Sequence, residues 1–173
     1  MTEHHAPVVH AEQQTSSSGD PSGLPMMEAS LPLSRHGLPL LTAVVALAAF
    51  LRFYQLGADS LWFDEAFSAS IATWDPLLII TKTVELGLRF TDRNVFHLLL
   101  HYVLLWGQSE TAVRLISAVS GVLSVLALYA LGKRLMGQSV ALLAAFLLAI
   151  SPYHVWYSRE GRNYGLLVLL GLL

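Results

Sequence analysis

Long apolar segments alternate with short polar ones from residue 37 onward. Residues 37–56 carry no charge before Arg52, and residues 115–132 and 139–158 contain no Asp, Glu, Lys or Arg. A helix of about 20 residues rises about 30 Å, which matches the hydrocarbon core of a bilayer. The pattern therefore predicts transmembrane helices over these three ranges, with Arg52 reaching the interface and Pro152 loosening the last turn of the third. A fourth span begins at 163 and runs to residue 173, where we expect the sequence to be truncated.

Residues 94–107 form a shorter apolar segment that contains Asn94 and two histidines. As a helix this segment would reach only about 21 Å, so it suits the membrane interface better than a crossing. If it crosses, the loop around Glu160 lies on the opposite side from Asp64. If it stays in the interface, both acidic loops share one face, and the turn that holds Lys133 and Arg134 is cytoplasmic. We predict the second topology.

The composition agrees with a membrane protein. Hydrophobic residues make up 54% of the chain and charged residues 13%, which is too apolar for an ordinary soluble domain. The formal net charge of −2 indicates no nucleic-acid partner, and the lack of cysteine excludes disulfides and thiolate metal sites. Residues 1–36 are polar and are predicted to be a disordered cytoplasmic tail. A cleaved signal peptide is the alternative interpretation of the first apolar segment. The predicted fold class is thus an all-α integral membrane protein, a multi-helix transmembrane bundle over residues 37–173.

The stretch SLWFDEAFSAS, residues 60–70, places adjacent acids among aromatic residues. On a helix, Phe63, Phe67 and Trp74 share one stripe, whereas Asp64 lies on the flank and Glu65 on the far side. This pattern predicts a helix lying flat on the membrane, with both acids at its rim. A carboxylate at such a rim, Asp64, is a candidate general base. The alternative is that Asp64 is the N-cap of the helix and Glu65 complements its dipole.

A second acidic place is YSREGRNYG, residues 157–165, where Arg159 and Arg162 flank Glu160. A salt-bridged helix cap is one interpretation. The other is that the guanidinium groups hold a phosphate while the carboxylate orients a metal or an acceptor.

Two further groups of charged or metal-binding residues are candidates. His97 and His101 lie one helical turn apart and could share a metal, although no third ligand is apparent. Arg114 is interpreted as an anchor at the membrane surface.

The order of these blocks resembles a known family. LRFYQLGADSLWFDEAFSASIA, then LLLHYVLLWGQSETAVRLISAVSG and YSREGRNYGLLVL, are similar to the N-terminal part of membrane glycosyltransferases of the protein O-mannosyltransferase and aminoarabinose transferase type. Within that superfamily the chain resembles the rhizobial lipopolysaccharide glycosyltransferase-like branch. The resemblance implies a bacterial plasma membrane location, with juxtamembrane helices in a large first extracytoplasmic loop. It also implies a polyprenyl-phosphate sugar donor, a lipid, glycan or protein acceptor, and contact with membrane lipids.

The resemblance also implies roles for individual residues in an inverting transfer. Asp64 matches the first-loop acid taken as general base. A divalent cation, Mg or Mn, could bridge Asp64 and Glu160. The paired prolines that relatives carry are replaced here by Arg93 and Asn94, which puts the geometry of the acceptor-side loop in question. A non-catalytic membrane scaffold, or an inactive fragment, is the alternative function. The candidate residues are Asp64, Glu65 and Glu160 for catalysis, and Arg93, Tyr157, Arg159 and Arg162 for substrate binding.

Overall fold

A computed structural model describes residues 37–85 and 92–173, without the side chains of residues 82–85, 92 and 93. These residues form eight helices and contain no strand, so the all-α prediction is confirmed for this part of the chain. The predicted tail, residues 1–36, lies outside the described residues. The helices are α1 Gly37–Phe53, α2 Phe63–Ala72, α3 Pro76–Glu85, α4 Asp92–Leu104, α5 Glu110–Met136, α6 Gln138–Ile150, α7 Pro152–Arg159 and α8 Tyr164–Leu172.

Helix α5 is the central element, and it packs against α1, α4, α6, α7 and α8. Ser109 caps its N-terminus by accepting a hydrogen bond from the Ala112 N–H at 3.2 Å. The helix ends before Gly137, whose φ of 86° lies in the left-handed region that glycine adopts without strain. The predicted span 115–132 therefore lies inside a longer helix of 27 residues.

Only part of the predicted set of spans is supported by helix length. Among residues 37–85 and 92–173, α5 alone is long and apolar enough to cross a bilayer, and α6 with α7 would make a second span if their 57° bend is included. Helix α1 has 17 residues and α8 has 9. Helix α4 has 13 residues, and its location at the membrane interface stays a prediction. The multi-span bundle stays a prediction.

Small residues hold α1, α5 and α6 together. Ala48, Ala145 and Ala149 are fully buried around Val125 of α5. A Cβ added at Gly132 of α5 would lie 3.2 Å from an Ala141 Cα of α6. Small side chains let helix backbones approach closely, which is how helices associate where lipid provides no hydrophobic driving force. Close packing of small side chains therefore joins α1, α5 and α6.

Arg52 binds carbonyl groups at the break between α6 and α7, and its buried side chain contradicts the prediction that it reaches outward to the interface. Pro152 has no N–H to donate to the preceding turn, so carbonyl groups near the break need other donors. The fully buried Arg52 guanidinium donates to the Ala149 carbonyl at 3.2 Å and to the Leu148 carbonyl at 3.5 Å. It also lies 2.7 Å from His154 Nδ1. The predicted effect of Pro152 on the helix is confirmed. The donors missing at the break are supplied by the Arg52 side chain of α1.

Candidate active site

Helix α2 carries the acid pair, and its first turn orients the two acids differently. Trp62 is the N-cap residue, so the interpretation of Asp64 as N-cap is wrong. Glu65 occupies the third helical position, and its Oε2 accepts the Trp62 backbone N–H at 3.1 Å. Phe63 and Phe67 are 85% and 53% exposed, whereas Glu65 is 2% exposed. The expected aromatic stripe is thus exposed, but only one of the two acids lies at its rim.

Glu65 forms a bidentate ion pair with Arg114 of α5. Arg114 Nε donates to Glu65 Oε1 at 2.9 Å, and Arg114 Nη2 donates to Glu65 Oε2 at 2.7 Å. Both side chains are buried, so the prediction that Arg114 anchors the membrane surface is wrong. The physical reason is that Arg114, in the second turn of α5, contacts Glu65 of α2, so its guanidinium binds a carboxylate of the protein instead of lipid headgroups. Parallel N–H···O bonds of this kind are among the strongest in proteins.

The remaining N–H groups of Arg114 organise the connection between α1 and α2. Arg114 Nη1 donates to the Leu56 carbonyl at 2.9 Å and to the Asp59 carbonyl at 3.0 Å. Arg114 Nη2 donates to the Ser60 carbonyl at 3.2 Å. Each N–H of the guanidinium therefore has an acceptor, which removes the penalty of burying an unpaired donor. One arginine holds both the connecting segment and the start of α2.

Gly161 joins the second acidic loop to this ion pair. Its backbone N–H donates to Glu65 Oε1 at 2.7 Å. A Cβ at this position would lie 2.5 Å from Val113 Cγ1, so only glycine allows the loop to approach so closely. This contact brings the two acidic loops together, and the membrane face on which they lie stays a prediction. We call the set Glu65, Arg114 and Gly161 the clamp.

The clamp keeps Glu65 ionised. Burial by itself would raise the pKa of Glu65, but hydrogen bonds from Arg114, Gly161 and Trp62, together with the Arg114 charge, hold its pKa below the ordinary value of 4.5. Both carboxylate oxygens accept two hydrogen bonds within the protein. Hydrogen bonds from the protein itself therefore occupy the acceptor sites of the Glu65 carboxylate.

Asp64 and Arg162 meet beside the clamp as an exposed ion pair. Each is the chain neighbour of a clamp residue, and Arg162 Nη1 donates to Asp64 Oδ2. Arg162 is further held by its backbone, since Ser117 Oγ donates to the Arg162 carbonyl at 2.5 Å. Its guanidinium carbon lies 5.3 Å from the centre of the Tyr164 ring. Asp64 and Arg162 line a cavity of about 170 Å3 together with Phe67 and His97. We call it the ion-pair cavity.

Glu160 and Arg159 face a different cavity from Asp64. Glu160 Oε1 accepts the Trp156 Nε1–H at 2.7 Å, so the expected salt bridge to its flanking arginines is replaced by a bond to an indole. Arg159 donates to the Leu51 carbonyl at 3.1 Å and to the Gln55 carbonyl at 3.3 Å. Both residues line a cavity of about 110 Å3 that also includes Trp62. We call it the tryptophan cavity.

The other candidate residues are placed as follows. Tyr157 is partly exposed, and its ring stands edge-on to Tyr164 at 5.0 Å. Arg93 lies in the first turn of α4, but its side chain lies outside the described part of the chain. His101 Nδ1 lies 2.8 Å from the Ala72 carbonyl, whereas His97 lines the ion-pair cavity. Within residues 37–85 and 92–173, the side chains described include no group of three or more His, Cys, Asp or Glu that could hold a metal. The divalent cation stays a prediction.

Sequence reasoning did not assign the clamp. Its signal was nevertheless present, because Glu65 occupies the face of α2 opposite the aromatic stripe, and a charged residue there needs a buried partner. Arg114 was the available cation at the start of an apolar helix. No local pattern links two residues so far apart in the chain.

Comparison with known proteins supports one superfamily. Residues 95–173 match the family described as dolichyl-phosphate-mannose-protein mannosyltransferase, which supports the resemblance to membrane glycosyltransferases. No curated protein and no solved structure shows a significant match to the chain. The matched segment includes Arg114, Gly161 and Arg162, whereas Asp64 and Glu65 precede it. The clamp therefore joins the acid pair to the segment that resembles the family.

Proposed function

We propose that this chain is a membrane glycosyltransferase of the bacterial plasma membrane. It moves a sugar from a polyprenyl-phosphate donor to the hydroxyl of an extracytoplasmic lipid, glycan or protein, with inversion at the anomeric carbon. The observation that carries the proposal is the Asp64–Arg162 contact in one open cavity. Inverting transfer needs a base for the incoming hydroxyl and a cation for the departing phosphate, and this contact brings both charges together.

Asp64 is the proposed general base. Its side chain is 60% exposed, so an acceptor hydroxyl can reach it. As that hydroxyl attacks the anomeric carbon, the carboxylate takes its proton and the bond to the donor phosphate breaks on the opposite face of the sugar. A positioned base contributes about 10²- to 10⁴-fold to such a step.

Arg162 is the proposed partner of the donor phosphate. Its side chain is 26% exposed, so it is less hydrated than Asp64 and keeps access to the cavity. A guanidinium presents a planar fork that matches phosphate oxygens. The phosphate competes with Asp64 for this fork, and its arrival frees the carboxylate to act as a base. Tyr157 contacts Tyr164, which packs under Arg162, so we keep Tyr157 with the donor side of the site.

Glu65 is better explained as a positioning residue than as a catalytic one. Its four accepted hydrogen bonds leave no acceptor site for a substrate proton. Through the clamp it instead determines where its neighbour Asp64 and the neighbour of Gly161, Arg162, come to lie. Asp64 and Glu160 line different cavities, so these two residues do not fit one shared divalent cation, and no step of the proposed transfer uses one.

The test is transfer of labelled sugar from a polyprenyl-phosphate pool to membrane fractions. Asp64→Asn should lower the rate by about 10²-fold or more while the helical circular dichroism signal stays unchanged. Asp75→Asn is the matched control, because Asp75 accepts the Leu77 N–H at the start of α3 and an amide oxygen can do the same. Full activity in Asp64→Asn would remove Asp64 as the base. If wild-type protein is inert with donor and expression verified, the non-catalytic membrane protein becomes the better account.

A further inference from the structure

Two exposed tryptophans flank the tryptophan cavity. Trp62, at the start of α2, is 70% exposed, and Trp156, in α7, is 63% exposed. Both line the same cavity of about 110 Å3, together with the carboxylates of Asp59 and Glu160. Two large rings and two carboxylates around one opening form a recognisable set of binding groups, and the proposed transfer step does not use them.

The floor of this cavity is preformed. Glu65 and Arg114 line it, and the bonds of the clamp hold both side chains in one geometry. Trp156 is also oriented, because its Nε1–H donates to Glu160 Oε1 at 2.7 Å. That bond lies at the edge of the indole and leaves the ring face uncovered by Glu160. Preorganised groups bind a ligand at a lower entropic cost than mobile ones.

The charges of the tryptophan cavity disfavour a phosphate. Two carboxylates, Asp59 and Glu160, stand against one guanidinium, Arg159, while the Glu65–Arg114 pair is neutral overall. Arg159 is in addition engaged by the Leu51 and Gln55 carbonyls. The anionic donor is therefore expected in the ion-pair cavity, and a neutral ligand rich in hydroxyl groups fits here.

We infer that the tryptophan cavity binds a saccharide, and specifically a sugar residue of a glycan acceptor. The face of an indole ring carries negative charge and attracts the polarised C–H groups on the face of a sugar. Carboxylate oxygens accept hydrogen bonds from sugar hydroxyls. Neighbouring residues line the two cavities, since Glu65 lines this one and Asp64 the other. The acceptor role of this sugar rests on the proposed function, in which Asp64 is the base, whereas saccharide binding does not.

The first test measures binding without catalysis. Purified protein in detergent is titrated with methyl α-mannopyranoside and methyl β-glucopyranoside, followed by saturation-transfer NMR and tryptophan fluorescence. We expect a dissociation constant of about 1 mM for at least one glycoside. Trp156→Ala and Trp62→Ala should each weaken it about tenfold or more. Trp106→Ala is the matched control, because Trp106 is 95% exposed and lines a different, apolar cavity.

Choline and inorganic phosphate serve as competing probes. Choline tests whether the rings and carboxylates form a cation site. Phosphate tests whether the charge of Arg159 makes the cavity an anion site. Tighter binding of either probe than of both glycosides at this cavity would overturn the inference. So would an unchanged dissociation constant in both Trp62→Ala and Trp156→Ala, with folding verified by circular dichroism.

Kinetics separate this inference from the proposed function. With a glycan acceptor, Trp156→Ala should raise the acceptor KM about tenfold and leave the donor KM unchanged. Asp64→Asn should instead lower the transfer rate by about 10²-fold or more and retain glycoside binding. Active protein in which Trp156→Ala alters neither binding nor acceptor KM would refute the saccharide site and leave the enzyme proposal standing. Full transfer by Asp64→Asn, with glycoside binding lost only in the tryptophan variants, would refute the proposed base and leave the saccharide site.

Discussion

Glu65 and Gly161 meet through one hydrogen bond of 2.7 Å, although they lie 96 residues apart in the chain. The same Glu65 oxygen accepts the Arg114 Nε–H at 2.9 Å. Their chain neighbours, Asp64 and Arg162, are brought into contact as a result. A buried clamp thus positions an exposed pair, which separates the residues that support the site from those that can meet a substrate.

The clamp should be the most sensitive ion pair for stability. Glu65→Gln leaves the Arg114 charge buried without its counter-ion, so we expect the free energy of unfolding to fall by about 3–5 kcal/mol. Chemical unfolding in detergent, followed by circular dichroism, measures the change. Arg134→Gln is the control, because Arg134 is exposed near the end of α5 and should change stability by about 0.5 kcal/mol or less. An equal loss in both variants would contradict the role of the clamp.

The pKa of Glu65 predicts how stability depends on pH. Because the folded-state pKa lies below the ordinary value of 4.5, the contribution of Glu65 is fully present above that value. It is lost as the pH falls toward the lowered pKa, where the folded protein also takes up the proton. Thermal unfolding between pH 7 and pH 3 measures this dependence. The Tm of the wild type should therefore fall more steeply with decreasing pH than the Tm of Glu65→Gln. Parallel curves would show that Glu65 is not the group responsible.

Arg162 and Arg159 should respond differently to substitution, although they lie only three residues apart. Arg162→Ala removes the proposed phosphate contact and should raise the donor KM about 10- to 100-fold. Arg162→Lys should give an intermediate value, because it keeps the charge but loses the fork. Arg159→Ala loses bonds to the Leu51 and Gln55 carbonyls and should lower stability with little change in donor KM. Equal effects on donor KM would place both arginines at the phosphate.

Gly161 should tolerate no side chain. In Gly161→Ala the new Cβ meets Val113 Cγ1 at 2.5 Å, so the loop must move and stability should fall by about 1–3 kcal/mol. Transfer should fall as well, because the displaced loop carries Arg162. Gly107→Ala is the matched control, since a Cβ there has no atom of the described residues within 4 Å. Unchanged stability and unchanged transfer in Gly161→Ala would show that the loop does not depend on this close approach.

The sequence by itself determined the features that depend on neighbouring residues. Long apolar segments predicted helices, Pro152 marked a break, and the spacing of aromatic residues placed Glu65 on the face opposite the exposed stripe. The short loop around Arg162 was recognised because its charges adjoin one another in the chain. Each of these signals is local, since helix geometry and backbone restrictions act over a few residues.

Only the tertiary structure decided which charges face a substrate and which face the protein. Arg52 and Arg114 each lie near the end of an apolar helix, a pattern that fits an interfacial anchor as well as a buried partner. Their burial followed from contacts with residues far away in the chain, at the α6–α7 break and at Glu65. A buried charge is tolerated only where donors and acceptors from several segments converge. That convergence is a property of the packed helices, so no single segment of the sequence could reveal it.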